Sequence, residues 1–228
     1  MMWSTKAASA AKRAWLTLET DLSRRGGQWM VSTDGSSSGW HSAVVVPPAA
    51  GGRDGADGAA RAETQLRLRA RWGDHGGSRN VGAEGMGFLL GIESLPTGIE
   101  RATCLADFLN ALAFDAGTAN YKHPVLVDVY GRVDREKAER FPRGLALERI
   151  HHPGHQTDDS FFTRLNRAAD HLASLGRDVD VRVDVESLEE LAAGPKSFSA
   201  CLERAENDAA AARSGELTLN SRDVTSAL

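Results

Sequence analysis

The order of periodic segments along the chain predicts an α/β fold, a mixed five-stranded sheet flanked by helices: three β-favouring runs come first, and later strands alternate with helices. Two periods carry that reading. The run Gln65-Leu66-Arg67-Leu68-Arg69-Ala70-Arg71-Trp72 alternates strictly, with Leu66, Leu68, Ala70 and Trp72 on one face and Arg67, Arg69 and Arg71 on the other. Leu165, Ala168, Ala169 and Leu172 instead recur at helical spacing as one apolar stripe.

Trp29 to Thr33 is β-favouring and runs into Asp34-Gly35-Ser36, residues that end a strand. Ser42–Val46 and Thr64–Trp72 follow as strands, and the first three are expected to pair antiparallel. The Pro- and Gly-rich stretch from Pro47 to Gly58 reads as a surface loop. Ala83–Leu95 is helical despite Gly85, Gly87 and Gly91, because Met86, Leu89, Leu90 and Ile92 gather on one side. Arg101–Ala106 is a short apolar strand, Phe108–Phe114 a helix, and Val125–Glu139 a helix with Val125, Val129 and Val133 four residues apart. Ala146–His151 supplies the fifth strand and Ser160–Leu175 the last helix of a domain spanning residues 27–178.

Two extensions flank that domain. In residues 1–26, Ala8, Ala11, Trp15, Leu18 and Leu22 mark an amphipathic helix over Thr5–Ser23. Its Lys6, Lys12 and Arg13, with no acid before Glu19, also suit an organelle presequence. In residues 179–228, Asp178–Val185 alternates as a strand with a valine face, and Ser187–Ala193 and Ser199–Ala212 are helical. This C-terminal extension either braces the core or contacts a protein partner.

A chain of 228 residues has room for one well-buried core. Its 41% hydrophobic and 25% charged content are those of a globular protein rather than a disordered one. No apolar run approaches the ~18 residues of a membrane span, so no membrane partner is expected. Cys104 and Cys201 cannot build a framework of bridges, and a reducing cytoplasm is the expected location. Cys104, inside an apolar strand, reads as a small buried hydrophobe. The net charge of −4 argues against a general nucleic-acid binder, although Arg67, Arg69 and Arg71 concentrate positive charge, either as a solvated face or as a phosphate contact.

Four acids stand out by their local settings. Asp34 is delivered to the tip of the first strand. Glu84 lies in the first turn of the following helix, Asp107 sits where the fourth strand meets a helix start, and Asp170 projects beside the stripe of the last helix. Each setting alone is commonplace: Asp-Gly makes turns, and a Glu near a helix start complements the dipole. Their order is the informative feature.

That order resembles the type I ribonuclease H family, within the ribonuclease H-like superfamily. The resemblance is carried by Thr33-Asp34-Gly35-Ser36, by Asn80 four residues before Glu84, by the Asp107 junction, and by His152-Pro153-Gly154-His155 upstream of Asn166-Arg167-Ala168-Ala169-Asp170. It covers roughly residues 27–178, with a longer loop after the second strand and a longer stretch between His155 and Asn166 than the family has. It implies a metal-dependent endonuclease that cuts the RNA strand of RNA–DNA hybrids. Asp34, Glu84, Asp107 and Asp170 would hold two Mg²⁺ ions, with Mn²⁺ as a substitute, and carboxylates suit such hard cations. A mobile histidine near the last acid is implied too: the His-x-Gly-His pattern favours His152, with His155 in competition. Ser36, Asn80 and Asn166 are the implied substrate contacts. The same acids also suit cleavage of DNA or double-stranded RNA, and a noncatalytic binding protein can retain the fold.

Overall fold

The computed structural model describes residues 28–48, 65–73, 79–117 and 124–225. The helix expected over Thr5–Ser23 and most of the loop after the second strand, from residue 49, lie outside them. A six-stranded sheet forms the centre. Its strands are β1 (Trp29–Gly35), β2 (Trp40–Val46), β3 (Gln65–Trp72), β4 (Arg101–Ala106), β5 (Ala146–His151) and β6 (Val179–Asp184), in spatial order β5-β4-β1-β2-β3-β6. β1, β2 and β3 pair antiparallel as expected, β4 and β5 extend the sheet in parallel, and β6 joins the free edge of β3 antiparallel. The sixth strand is the valine alternation placed outside the sheet by the sequence reading. Val179 and Val183 are buried, and that burial requires a sheet edge to sit on.

Helices cover both faces. On one side lie α1 (Arg79–Ser94), α2 (Leu109–Asp115) and α3 (Pro124–Arg140); on the other lie α4 (Phe161–Ser174), α5 (Leu188–Ala193) and α6 (Pro195–Thr225). Alternation sorts the strand side chains between them. Ala43 and Val45 join Phe88, Leu90, Leu126 and Val133 in the first core, while Val44, Val46, Leu66 and Leu68 join Phe162, Leu165, Leu172, Leu191, Phe198 and Leu202 in the second. Residues 188–202 therefore complete the second core.

The arginine face of β3 is not a free cationic patch. Arg67 makes a two-pronged ion pair with Asp180 at 3.0 and 3.1 Å. The buried Arg69 donates to Ser94 Oγ at 2.9 Å and lies 3.4 Å from Asp180, and Arg71 donates to Glu93 at 3.3 Å. These cations are already matched within the chain, which leaves little charge for phosphates.

The glycines of α1 have a structural reason. A Cβ on Gly87 would lie 2.8 Å from the Asp34 carbonyl oxygen, and one on Gly91 would lie 2.8 Å from Thr33 Cγ2. Four residues apart, the two glycines form a flat strip that lets the helix lie close on β1, against the Asp34 backbone at one and the Thr33 and Val31 methyl groups at the other. Gly87→Ala is expected to destabilise the protein by about 1–3 kcal/mol through this clash. Gly131→Ala, where only Arg135 Nη1 would come near at 3.8 Å, should instead stabilise by about 0.5–1 kcal/mol. Urea unfolding of both variants measures the difference, and equal effects would show that the close approach is not limiting.

Candidate carboxylate metal site

Three carboxylates from three elements meet at one end of the sheet. Asp34 comes from the end of β1, Glu84 from α1 and Asp107 from the residue after β4, and each offers an oxygen within 4.8 Å of the others. Parallel pairing puts the ends of β1 and β4 side by side, with Thr33 opposite Ala106. Glu84 reaches them because Gly35 lies against the helix backbone, where a Cβ would sit 2.3 Å from the Glu84 nitrogen. The helix begins at Arg79, so Glu84 stands in its second turn rather than its first. No apolar periodicity precedes Val81 to reveal the earlier start.

Asp170, from α4, faces the same group across a cavity of about 420 Å³, and its charge is felt by all three. Ser36, Asn80, His155 and Asn166 line that cavity as well. So do Arg167 and His171, which the sequence reading passed over. Asn166, Arg167, Asp170 and His171 are spaced i, i+1, i+4 and i+5 along α4, so helical periodicity alone could have grouped them on one face. His171 is fixed from behind, donating from Nδ1 to the Leu191 carbonyl at 3.0 Å and stacking edge-on against Phe198.

His152, the histidine favoured by the pattern, does not line the cavity. It is buried, and its Nε2 donates to Thr163 Oγ1 at 3.1 Å. Thr163 in turn donates to Asp158 at 2.7 Å, and the Ser160 hydroxyl caps α4 by accepting from the Thr163 amide at 3.2 Å. Burial lowers the His152 pKa. Burial alone would raise the Asp158 pKa, but hydrogen bonds from Thr163 and Ser160 outweigh it and hold the carboxyl at about 2. His152 thus belongs to the network that anchors the start of α4. His155 is exposed at the cavity mouth and takes a left-handed backbone, φ 56, a conformation that costs a non-glycine residue about 1–2 kcal/mol. The preceding Gly154 passes so near Asp107 that a Cβ would meet its carboxylate at 2.6 Å. His151 Nε2 donates to the Asp107 carbonyl at 2.9 Å and fixes the backbone from the other side.

The electrostatics are those of crowded acids. Burial, followed by repulsion from Asp107 and Asp170, raises the Asp34 pKa to about 7. Burial and then the charge of Asp34 push Glu84 up to about 10. Asp107 is raised too, chiefly by burial and then by Asp170. A backbone hydrogen bond from Gly35 offsets only part of this at Asp34 and Glu84. Beside them, Asn166 Oδ1 is buried without a hydrogen-bond partner among the described residues. Crowded hard oxygen donors with an unsatisfied carbonyl fit a hard divalent cation.

No protein-family model and no curated protein matches the chain. Among solved structures it is similar to the N-terminal RNase H domain of Rv2228c from Mycobacterium tuberculosis, with 23% identity, 65% of this chain and 99% of that one covered, and a TM-score of 0.38. It is also similar to LC11-RNase H1 in complex with an RNA/DNA hybrid, with 17% identity, coverage of 64% and 93%, and a TM-score of 0.38. LC9-RNase H1, a type 1 RNase H with the type 2 active-site motif, gives 14% identity, coverage of 78% and 86%, and a TM-score of 0.46. The class is set by the chain's own topology: an antiparallel β1–β2–β3 unit, parallel β4 and β5 beside β1, and helices on both faces. The fold is ribonuclease H-like in its topology, with a sixth strand added at the β3 edge.

Both Asp34 and Glu84 bind protons more tightly when folded than at their ordinary values of 3.8 and 4.5. That stabilisation is complete at low pH and is lost as pH rises, through about 7 for Asp34 and on towards about 10 for Glu84. In chelator, the thermal midpoint should fall between about pH 5 and about pH 8, and Asp34→Asn should raise it and flatten the decline. Circular dichroism melting tests this, and a wild-type midpoint that climbs over the same range would contradict the crowding.

Proposed function

We propose that this chain is a metal-dependent endoribonuclease that hydrolyses the RNA strand of RNA–DNA hybrids. The observation that supports this best is the meeting of Asp34, Glu84 and Asp107 within 4.8 Å, with Asp170 across the same cavity, at one end of a ribonuclease H-like sheet. In this reading the four carboxylates hold two divalent ions, Mg²⁺ with Mn²⁺ as a substitute. Bound there, the ions would supply charge stabilisation for the attacking and leaving oxygens of the phosphodiester. His155 takes the role of moving a proton or easing product release in this reading, which its position at the cavity mouth supports and that of His152 does not. Ser36, Asn80 and Asn166 are the polar contacts. Short side chains suit the wide, shallow minor groove of a hybrid, where 2′-hydroxyls are read, and the internal pairing of Arg67 and Arg71 fits a site that does not rely on a cationic patch. Two buried free thiols, Cys104 and Cys201, suit a reducing cytoplasm, and among the described residues no helix is long and apolar enough to cross a membrane.

The decisive assay offers labelled RNA–DNA hybrid, double-stranded RNA and double-stranded DNA with Mg²⁺, Mn²⁺ or chelator. Hybrid-selective cutting is expected with either ion, and a loss of at least about a hundredfold in Asp34→Asn and Asp107→Asn. Mg²⁺ should also raise the thermal midpoint of the wild type. Cutting of another substrate reassigns the enzyme, and binding without cutting points to an interaction protein. A second pair of variants separates the histidines. His155→Gly relieves a strained backbone, so it should leave stability equal or higher while slowing turnover. His152→Ala should lower the melting temperature with a smaller effect on turnover per folded molecule; the reverse pattern would return the role to His152.

A further inference from the structure

Three large apolar side chains stand exposed among the described residues: Trp72 at 56%, Leu109 at 55% and Val127 at 54%. Two of them lie at the end of the sheet that carries the carboxylate cavity. Leu109 opens α2 two residues after Asp107, and Trp72 ends β3 at the same end of the sheet. The topology forces this placement. β1 ends where the antiparallel β2 begins, and β3 ends beside that start, with Trp72 directly opposite Trp40. Directly paired residues share a face, so Trp40 and Trp72 lie on the same side of the sheet, Trp40 half-buried and Trp72 exposed.

The Trp72 indole also lies against the β1–β2 turn. Gly39, at φ 92, would bring a Cβ within 3.2 Å of its Nε1, and the Gly73 amide donates to the Gly39 carbonyl at 3.2 Å. That turn begins with Ser36, which lines the cavity. Two strand spacings separate β1 from β3, or about 10 Å, which is about three base steps along a duplex strand at ~3.4 Å each. A ligand recognised only by its phosphates has no use for apolar flanks. A nucleotide strand has one at every step, since sugar and base present flat apolar faces between phosphates.

We propose that Trp72 is a stacking platform for a nucleotide of the strand that runs from the carboxylate cavity along the sheet end, with Leu109 in apolar contact on the opposite side. The assignment rests on the reading of that cavity as a nuclease site and extends it to a substrate subsite. The indole meets the sugar face of an intact duplex or an unpaired base at a strand end. Trp72 is exposed, so its replacement does not open the core.

Equilibrium binding of end-labelled RNA–DNA hybrids, blunt or with a short single-stranded overhang, is read by fluorescence anisotropy with Ca²⁺ replacing Mg²⁺. Trp72→Ala is expected to weaken binding about tenfold, Trp72→Phe to restore most of it, and Leu109→Asn to produce a smaller loss, with melting temperatures unchanged throughout. A loss on blunt hybrid identifies the sugar face and a loss only on the overhang identifies an unpaired base; either supports the platform. Equal affinities for wild type and Trp72→Ala on both substrates overturn it. Cutting is measured separately with Mg²⁺. A wild type that binds but never cuts defeats the nuclease reading and leaves the platform standing, cutting with Trp72→Ala binding unchanged defeats the platform alone, and no binding at all defeats both.

Discussion

The arrangement depends on how closely α1 can lie on β1. A helix normally packs against a sheet through side chains, which hold the two backbones apart. Here Gly87 and Gly35 let backbone meet backbone, and Gly91 lets the helix backbone lie on the Thr33 and Val31 methyl groups. Only this approach brings Glu84, carried on a helix, into the company of carboxylates carried on strand ends. Helix propensity opposes it, since each glycine costs about 1 kcal/mol relative to alanine inside a helix. The cost is offset by packing: Phe88, Leu89, Leu90 and Ile92 are buried on the same helix. The glycines are where local preference gives way to the placement of a site.

The second tension is electrostatic. Asp34 and Glu84 are buried beside one another and beside two further acids, and burial raises their pKa values before neighbouring charge adds its share. Elsewhere the chain treats buried charge in the opposite way. Asp115 is fully covered but sits between Lys137 and Arg149, and the buried Arg69 is flanked by Asp180 and Glu93. The four carboxylates instead face one cavity, where Arg167 on the wall is bonded to the Gln156 and Asp158 carbonyls, and this leaves room for a cation from solution.

Much of this was legible in the sequence. Alternation in β3 and in the valines of β6, and the stripe of α4, gave elements within a few residues of those observed, because burial on one face forces the period. The four acids were legible through their settings at strand ends and on helices. The sixth strand of the sheet was not, since an alternating segment reveals a buried face but not the strand it pairs with. The histidines show the limit most clearly. His152 and His155 sit three residues apart in one polar loop, and pattern favoured the first. The difference lies in contacts distant in sequence: Thr163 draws His152 inward towards the capped start of α4, and a left-handed residue after Gly154 turns His155 outward.

The loop between β5 and α4 shows how one segment serves both stability and chemistry. Its inner residues are tied down: Asp158 and Ser160 cap α4, Thr163 links them to His152, and Arg167 donates to the Gln156 and Asp158 carbonyls at 2.9 and 3.2 Å. These bonds bracket His155 on both sides, and it alone carries the unfavourable φ. A residue held in such a backbone relaxes unless its neighbours are fixed. The capping network is therefore what keeps the imidazole at the cavity mouth, and the stretch between His155 and Asn166 supplies the residues that build it.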